Sequence, residues 1–349
     1  MFKKFFQKVN NLRIKDSSKT KPPAYYLDKY PLDKNGADFI AQSRQTINNI
    51  IEGKDKRLMV IIGPCSIHDP KAALEYAKKL KKISDKLSDK LFIVMRVYFE
   101  KPRTTIGWKG LINDPDLDES YQMEKGLDIA RKLLSNLTKN KIPTAVEYLD
   151  LITPQYFSDL ITWGAIGART TESQTHRELA SGMSCPIGFK NGTDGGVQVA
   201  IDAVVSSSYS HSFWSVSKKG ILTRYTTGGN PNCHIILRGG GGKTNYDIKS
   251  IENACNQLAK NNLPTRIMVD FSHANSEKQH KNQLKVGAEI IQQIKDGSDK
   301  VFGVMIESNL FEGSQKINTL DKLKYGVSIT DACISWEDSE ILLNDLANK

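Results

Sequence analysis

The sequence is poor in the features that mark membrane, secreted and repeat proteins. No apolar run approaches the roughly 18 residues that a membrane span needs, so no membrane association is expected. The opening residues, MFKKFFQ, are basic and aromatic but lack the apolar core and small-residue cleavage site of a secretory signal. Only five cysteines occur: Cys65, Cys185, Cys233, Cys255 and Cys333. They are odd in number, widely spaced and form no CxxC pair, which argues against a disulfide framework and for a reducing, cytoplasmic setting. There is no short-period repeat, no low-complexity block, and no dense basic stripe with interleaved aromatics. The formal charge of +10 therefore predicts no nucleic acid partner. It reads instead as solubility together with attraction for anionic metabolites.

What the chain does contain is alternation. Residues 1–55 form a polar, Lys- and Asn-rich N-terminal extension with one amphipathic stretch, Asp38–Ile51. From residue 56 to 349, eight short apolar runs alternate with helical periodicity: Leu58–Ile62, Leu91–Phe99, Thr144–Tyr148, Ala165–Ala168, Ile187–Phe189, His234–Leu237, Arg266–Phe271 and Val301–Ile306. Nearly continuous apolar runs mark strands buried on both faces, as in parallel sheets. Between them, Asp69 and Pro70 open a helix whose stripe is Ala73, Ala77, Leu80 and Ile83. Further stripes are Met123, Leu127, Ala130 and Leu134; Val197, Ile201 and Val204, after Asp194; Ile251, Cys255 and Leu258; and Leu284, Ala288, Ile291 and Ile294. Eight strand–helix units predict an α/β fold, a (β/α)₈ TIM barrel. Gly220 separates two β-rich runs, which predicts an inserted β-hairpin over about 211–230.

The strand ends carry the chemistry. At or just past them stand Cys65, Arg96, Glu147, Arg169, Lys190, Arg238, His273 and Glu307, with Asp331 in the last loop. In a barrel these ends share one face, where active sites are built. Singly, each has an ordinary explanation: Cys65 as a small buried hydrophobe, His273 as a bonded core histidine, the carboxylates as caps. Arg96 within an apolar strand is harder to dismiss, because a buried arginine needs a partner. Together they divide in two. Cys65, His273, Glu307 and Asp331 offer S, N, O and O donors, suited to one divalent ion (Mn, Fe, Co or Zn) without selecting among them. Their wide spacing fits a catalytic metal rather than a structural zinc knuckle. Arg96, Lys101, Arg103, Arg169, Lys190 and Arg238 form a cationic group. A like-charged pair about 4 Å apart costs about 4 kcal/mol at an effective dielectric near 20, so the group calls for anions such as phosphate and carboxylate. Gly239–Gly242 permit close backbone approach to a ligand.

Several segments carry a resemblance. GPCSIHDP (63–70), RVYFEKPRTTIGWKG (96–110), GARTTESQ (167–174), GFKNGTDG (188–195), ILRGG (236–240), DFSHANS (270–276) and SITDAC (328–333) resemble the signatures of class I 3-deoxy-D-arabino-heptulosonate-7-phosphate (DAHP) synthases. The resemblance runs from about Asn11 to the C-terminus. It implies condensation of phosphoenolpyruvate (PEP) with erythrose 4-phosphate and water, releasing phosphate, the first step of the shikimate pathway. It implies Cys65, His273, Glu307 and Asp331 as metal ligands. Arg96, Lys101 and Lys190 would face the PEP carboxylate, and Arg169 and Arg238, with Ala168 beside them, its phosphate. Arg103 and Thr104 would anchor the aldose phosphate. Glu147 would handle a water, and Lys101 would protonate or stabilise the new alkoxide. The metal would polarise the aldehyde, with His273 and Asp331 in the catalytic group.

The same resemblance implies a homodimer or homotetramer and feedback by an aromatic amino acid. The effector pocket would use the N-terminal extension, the region around Ser184 and the hairpin. EGKDKRLMVIIGPCS (52–66) and SQKI (314–317) lean toward the tryptophan-sensitive type. Cys65 is expected to be an oxidation-prone exposed thiolate. The competing enzymatic reading is a related PEP-condensing 3-deoxy-sugar-acid synthase, against which KPRTT and the complete donor set weigh. The competing reading of another class is a basic RNA-binding module.

Overall fold

The computed structural model describes residues 9–317 and 322–349. The basic leader MFKKFFQK lies outside them. Eight strands close a parallel barrel in the order β1-β10-β9-β8-β5-β4-β3-β2. They are β1 Leu58–Gly63, β2 Leu91–Arg96, β3 Thr144–Glu147, β4 Trp163–Ile166, β5 Ile187–Lys190, β8 Cys233–Leu237, β9 Ile267–Asp270 and β10 Val301–Glu307. Every residue of these strands is buried except Phe92, which fits their continuous apolar sequences. The predicted hairpin is present as β6 Ser212–Val216 and β7 Leu222–Thr226, antiparallel, with Gly220 at φ +75° in its turn. No described helix is long and apolar enough to cross a membrane.

Two packing layers hold the barrel. Inside it, Met59, Ile61, Val94, Ala145, Trp163, Ala165, Ile236, Met268, Phe302 and Met305 form one cluster, which Ile47, Ile50 and Ile51 of helix Lys34–Ile51 join. That helix plugs the end where the strands begin, and the other end is left for chemistry. Gly188 is required here: a Cβ would lie 2.5 Å from the Trp163 ring and 2.6 Å from Ile236. Trp163 donates its indole N–H to His234 Nε2 at 2.9 Å, so this polar pair is satisfied within the interior. The outer layer packs the helices on the strands. Asp69 caps helix Pro70–Lys86 as expected, accepting from the backbone N–H groups of Lys71 and Ala72.

Three expectations shift. The second strand stops at Arg96, and Val97–Phe99 continue as buried loop. The fourth begins two residues early, at Trp163. In helix Asn282–Lys295 the predicted stripe has the right period but the wrong phase. Its inward face is Gln283, Val286, Gly287, Ile290 and Gln293. The two glutamines are buried because they bind backbone. Gln283 pairs through both ends of its amide with the N–H and C=O of Glu307, at 2.8 and 2.9 Å. Gln293 donates to Tyr246 C=O. Leu284, Ala288 and Ile291 instead line a groove shared with Ile341 and Leu342 of helix Trp336–Ala347.

Candidate active site

At the C-terminal end of the barrel a cavity of about 140 Å³ is lined by Arg96, Lys101, Pro102, Arg103, Glu147, Gly167, Ala168, Arg169, Thr170, Lys190, Thr193, Arg238, His273, Thr330 and Asp331. All six predicted cations reach it. They do so from different elements: Arg96 and Lys190 close β2 and β5, Lys101 and Arg103 follow β2, Arg169 follows β4, and Arg238 follows β8. Lys190 and Arg96 are almost fully buried, whereas Arg103 and Arg169 are exposed at the mouth. Thr104 is not part of the lining; it lies outside, 3.4 Å from Arg169 Nη2. Burial, and the neighbouring Arg169 guanidinium after it, lower the pKa of Arg238, although Asp270 opposes the shift. Such crowding of positive charge is relieved by a bound anion.

Glu147 reaches the cavity in a seat made by Gly167, where an added Cβ would lie 2.1 Å from its Oε1. Beneath the cavity sits the donor group. One ligand atom each from Cys65, Glu307 and Asp331 lies within 4.8 Å of the other two. Glu307 is buried and ion-paired with Arg96 at 2.9 Å. Arg96 is further fixed by Pro64 C=O and Cys65 C=O, and its guanidinium lies 3.6 Å over the Tyr98 ring. Lys101 Nζ is 3.1 Å from Cys65 Sγ. Cys65 is fully buried, and burial followed by the Glu307 carboxylate pushes its thiol pKa up. Cys65 is therefore buried, not exposed as expected. Burial works against the Asp331 carboxylate, yet Lys101, His273 and Arg96 carry its pKa below the ordinary value. A soft sulfur beside two carboxylates fits a divalent transition ion, which would displace the thiol proton.

His273, the fourth expected ligand, stands outside that group. It lines the same cavity with its backbone in the left-handed region, φ +62°. Its Nδ1 is 2.7 Å from Ser272 Oγ and 3.0 Å from Asp270 Oδ2. Asp270 closes β9 with no solvent exposure and binds Lys190 Nζ at 2.8 Å. Burial opposes its charge, but Lys190 and His273 hold its carboxyl well below the usual range. Sequence reasoning missed both Asp270 and Gln283. A charge ending an apolar strand was the available signal for Asp270, but the run had been extended to Phe271. Nothing in the sequence distinguished Gln283 from a surface glutamine.

Comparison with known proteins settles the lineage. The profile of the DAHP synthetase I family matches residues 33–344. The chain belongs to the DAHP synthetase I family. It is 55% identical over 339 residues to the phospho-2-dehydro-3-deoxyheptonate aldolase, Phe-sensitive, of Escherichia coli (strain K12), covering 97% of each chain. It is 53% identical over 326 residues to the Trp-sensitive enzyme of the same strain, covering 93% of each. The solved phospho-2-dehydro-3-deoxyheptonate aldolase of Francisella tularensis SCHU S4 superposes with a TM-score of 0.94 at 53% identity. That match covers 96% of this chain and 98% of the other. The near-equal identities to the two E. coli enzymes do not separate the Phe- from the Trp-sensitive type of this family.

Proposed function

We propose that this chain condenses PEP with D-erythrose 4-phosphate and water to give 3-deoxy-D-arabino-heptulosonate 7-phosphate and phosphate. The observation that carries the reading is a single cavity at the catalytic end of a family barrel, with six cations around it and the Cys65–Glu307–Asp331 group at its floor. Two phosphorylated substrates repel each other, and holding them in contact is a large part of the task. Lys190, Arg238 and Arg169 hold PEP with Arg96 and Lys101, and the exposed Arg103 with Thr104 anchors the aldose phosphate at the mouth.

PEP carbon 3 bonds to the aldehyde carbon, water adds at carbon 2, and C–O cleavage of the hemiketal releases phosphate. Cys65, Glu307 and Asp331, with His273 as fourth donor, would hold a divalent ion that supplies Lewis-acid polarisation of the aldehyde. Lys101, beside Cys65, delivers the proton that the new alkoxide takes up. Glu147, seated against Gly167, orients the water.

The proposed regulation uses a second cavity of about 240 Å³. It lies between Leu151, helix Gln174–Gly182 (Thr175, Glu178 and Leu179) and the hairpin (Ser212, Phe213 and Trp214). Its size and aromatic wall suit an aromatic amino acid; Ser184 is not in its lining. The hairpin also touches the N-terminal extension, since Ala24 N–H donates to Lys218 C=O. This supports an assembly and regulatory role for residues 1–55 in a homodimer or homotetramer.

Product analysis tests the reaction. The protein is incubated with PEP and either erythrose 4-phosphate or arabinose 5-phosphate. A seven-carbon product from the first is expected, and turnover of the second alone would overturn the reading in favour of a related 3-deoxy-sugar-acid synthase.

A further inference from the structure

Asp270 lies behind the cavity lining and is bonded to two of its members, Lys190 and His273. Its two oxygens collect every donor around them. Oδ1 accepts from Ser272 N–H at 3.0 Å and from the Ser272 hydroxyl at 2.8 Å. Oδ2 accepts from Lys190 Nζ at 2.8 Å and lies 3.0 Å from His273 Nδ1. The site is dry: Asp270 has no exposure, Ser272 has 3% and Lys190 has 4%. Asn275 closes it from behind by donating to Asp270 C=O at 2.9 Å.

These bonds fix a proton. An ionised carboxylate only accepts, so the Ser272 hydroxyl spends its single hydrogen on Asp270. Ser272 Oγ can then only accept from His273 Nδ1, 2.7 Å away. Oδ2, the other polar atom near Nδ1, is also acceptor-only. Nδ1 must therefore carry a hydrogen, and neutral His273 presents a bare Nε2. The left-handed backbone at His273, unusual for a residue with a side chain, is held by the same turn.

We propose that Asp270 is a positioning residue with two clients: it sets the tautomer and aim of His273 for a metal ion, and it sets the place of the Lys190 ammonium for the substrate anion. This rests on the functional reading above, in which His273 donates to a metal and Lys190 to PEP. One carboxylate then couples the two half-sites. An asparagine cannot replace it, because an amide offers an acceptor on one side only. Its NH₂ would face donors either at Ser272 or at Lys190 and His273.

The test uses the full-length protein freed of metal. Mn²⁺ affinity is measured by the paramagnetic signal of the free ion, and PEP half-saturation by steady-state rates at saturating Mn²⁺. For Asp270→Asn, Mn²⁺ binding weaker by about ten- to a hundred-fold is expected, together with a raised half-saturating PEP concentration. A variant that is merely less stable, with both constants unchanged, overturns the proposal. Should Asp270→Asn fail to fold, nitrogen-15 spectra of the unmodified metal-free protein decide. The His273 ring, identified by its loss in His273→Ala, is expected as the Nδ1–H tautomer, and the Nε2–H tautomer overturns the proposal. Failure of the unmodified protein to bind Mn²⁺ would count against the metal reading itself, while the tautomer would still report on Asp270.

Discussion

Replacing Arg96 by methionine tests the electrostatics of the site floor most sharply. Arg96 and Glu307 are ion-paired at 2.9 Å, and their side chains are only 1% and 2% exposed. Methionine fills much of the space and removes the charge, which leaves the Glu307 carboxylate buried without its partner. Losing one member of a buried pair costs about 3–5 kcal/mol. The upper part of that range applies here, because the two bonds to Pro64 and Cys65 carbonyls are also lost. A divalent ion beside Glu307 would return positive charge to the same place. Metal at a hundred times its dissociation constant adds about 2.7 kcal/mol to any folded state that binds it, and its increment is expected to be larger in the variant, where no guanidinium competes for Glu307. The assay is urea unfolding at pH 7.5 with chelator and then with Mn²⁺. A metal-free variant within about 1 kcal/mol of the parent protein, or a metal increment no larger than the parent's, would refute the reasoning.

Three further outcomes are expected. Gly167→Ala places a methyl group 2.1 Å from the present position of Glu147 Oε1; the carboxylate must move, and kcat should fall by about a hundred-fold with little change in thermal midpoint, as steady-state rates and calorimetry will show. His234, buried against Trp163, has its pKa lowered from 6.5 to about 4 by burial, so the unfolded chain binds a proton there that the folded chain refuses. Its contribution is complete above pH 6.5 and is lost as pH falls toward 4, about 2 kcal/mol of it by pH 5. His234→Gln, which keeps an acceptor for the indole, should flatten the denaturation profile between pH 8 and 5 by that amount. Phe213→Ala should abolish inhibition by an aromatic amino acid in a rate assay while leaving uninhibited turnover intact; inhibition persisting unchanged would move the effector elsewhere.

The barrel was legible because burial on both strand faces writes itself as unbroken apolar runs such as Val60–Ile62 and Val304–Ile306. The rim was legible for the opposite reason: Arg96, Glu147, Lys190 and Glu307 interrupt those runs with charge at their last residue. What was not legible depends on partners distant in sequence. Gln283 reads as surface until Glu307, 24 residues on, offers its backbone. The same glutamines shifted the apparent phase of their helix. His273 could be marked as a ligand type, but its aim depends on Asp270 and Ser272, and no spacing rule encodes a shared proton.

The most direct measurement is phosphate release from PEP plus erythrose 4-phosphate by protein stripped of metal, before and after Mn²⁺ is returned. The account predicts release that requires both substrates, falls to background on chelation and recovers with the ion. Release that survives thorough metal removal would contradict the role assigned to Cys65, His273, Glu307 and Asp331, and absence of release under every condition would contradict the proposed reaction.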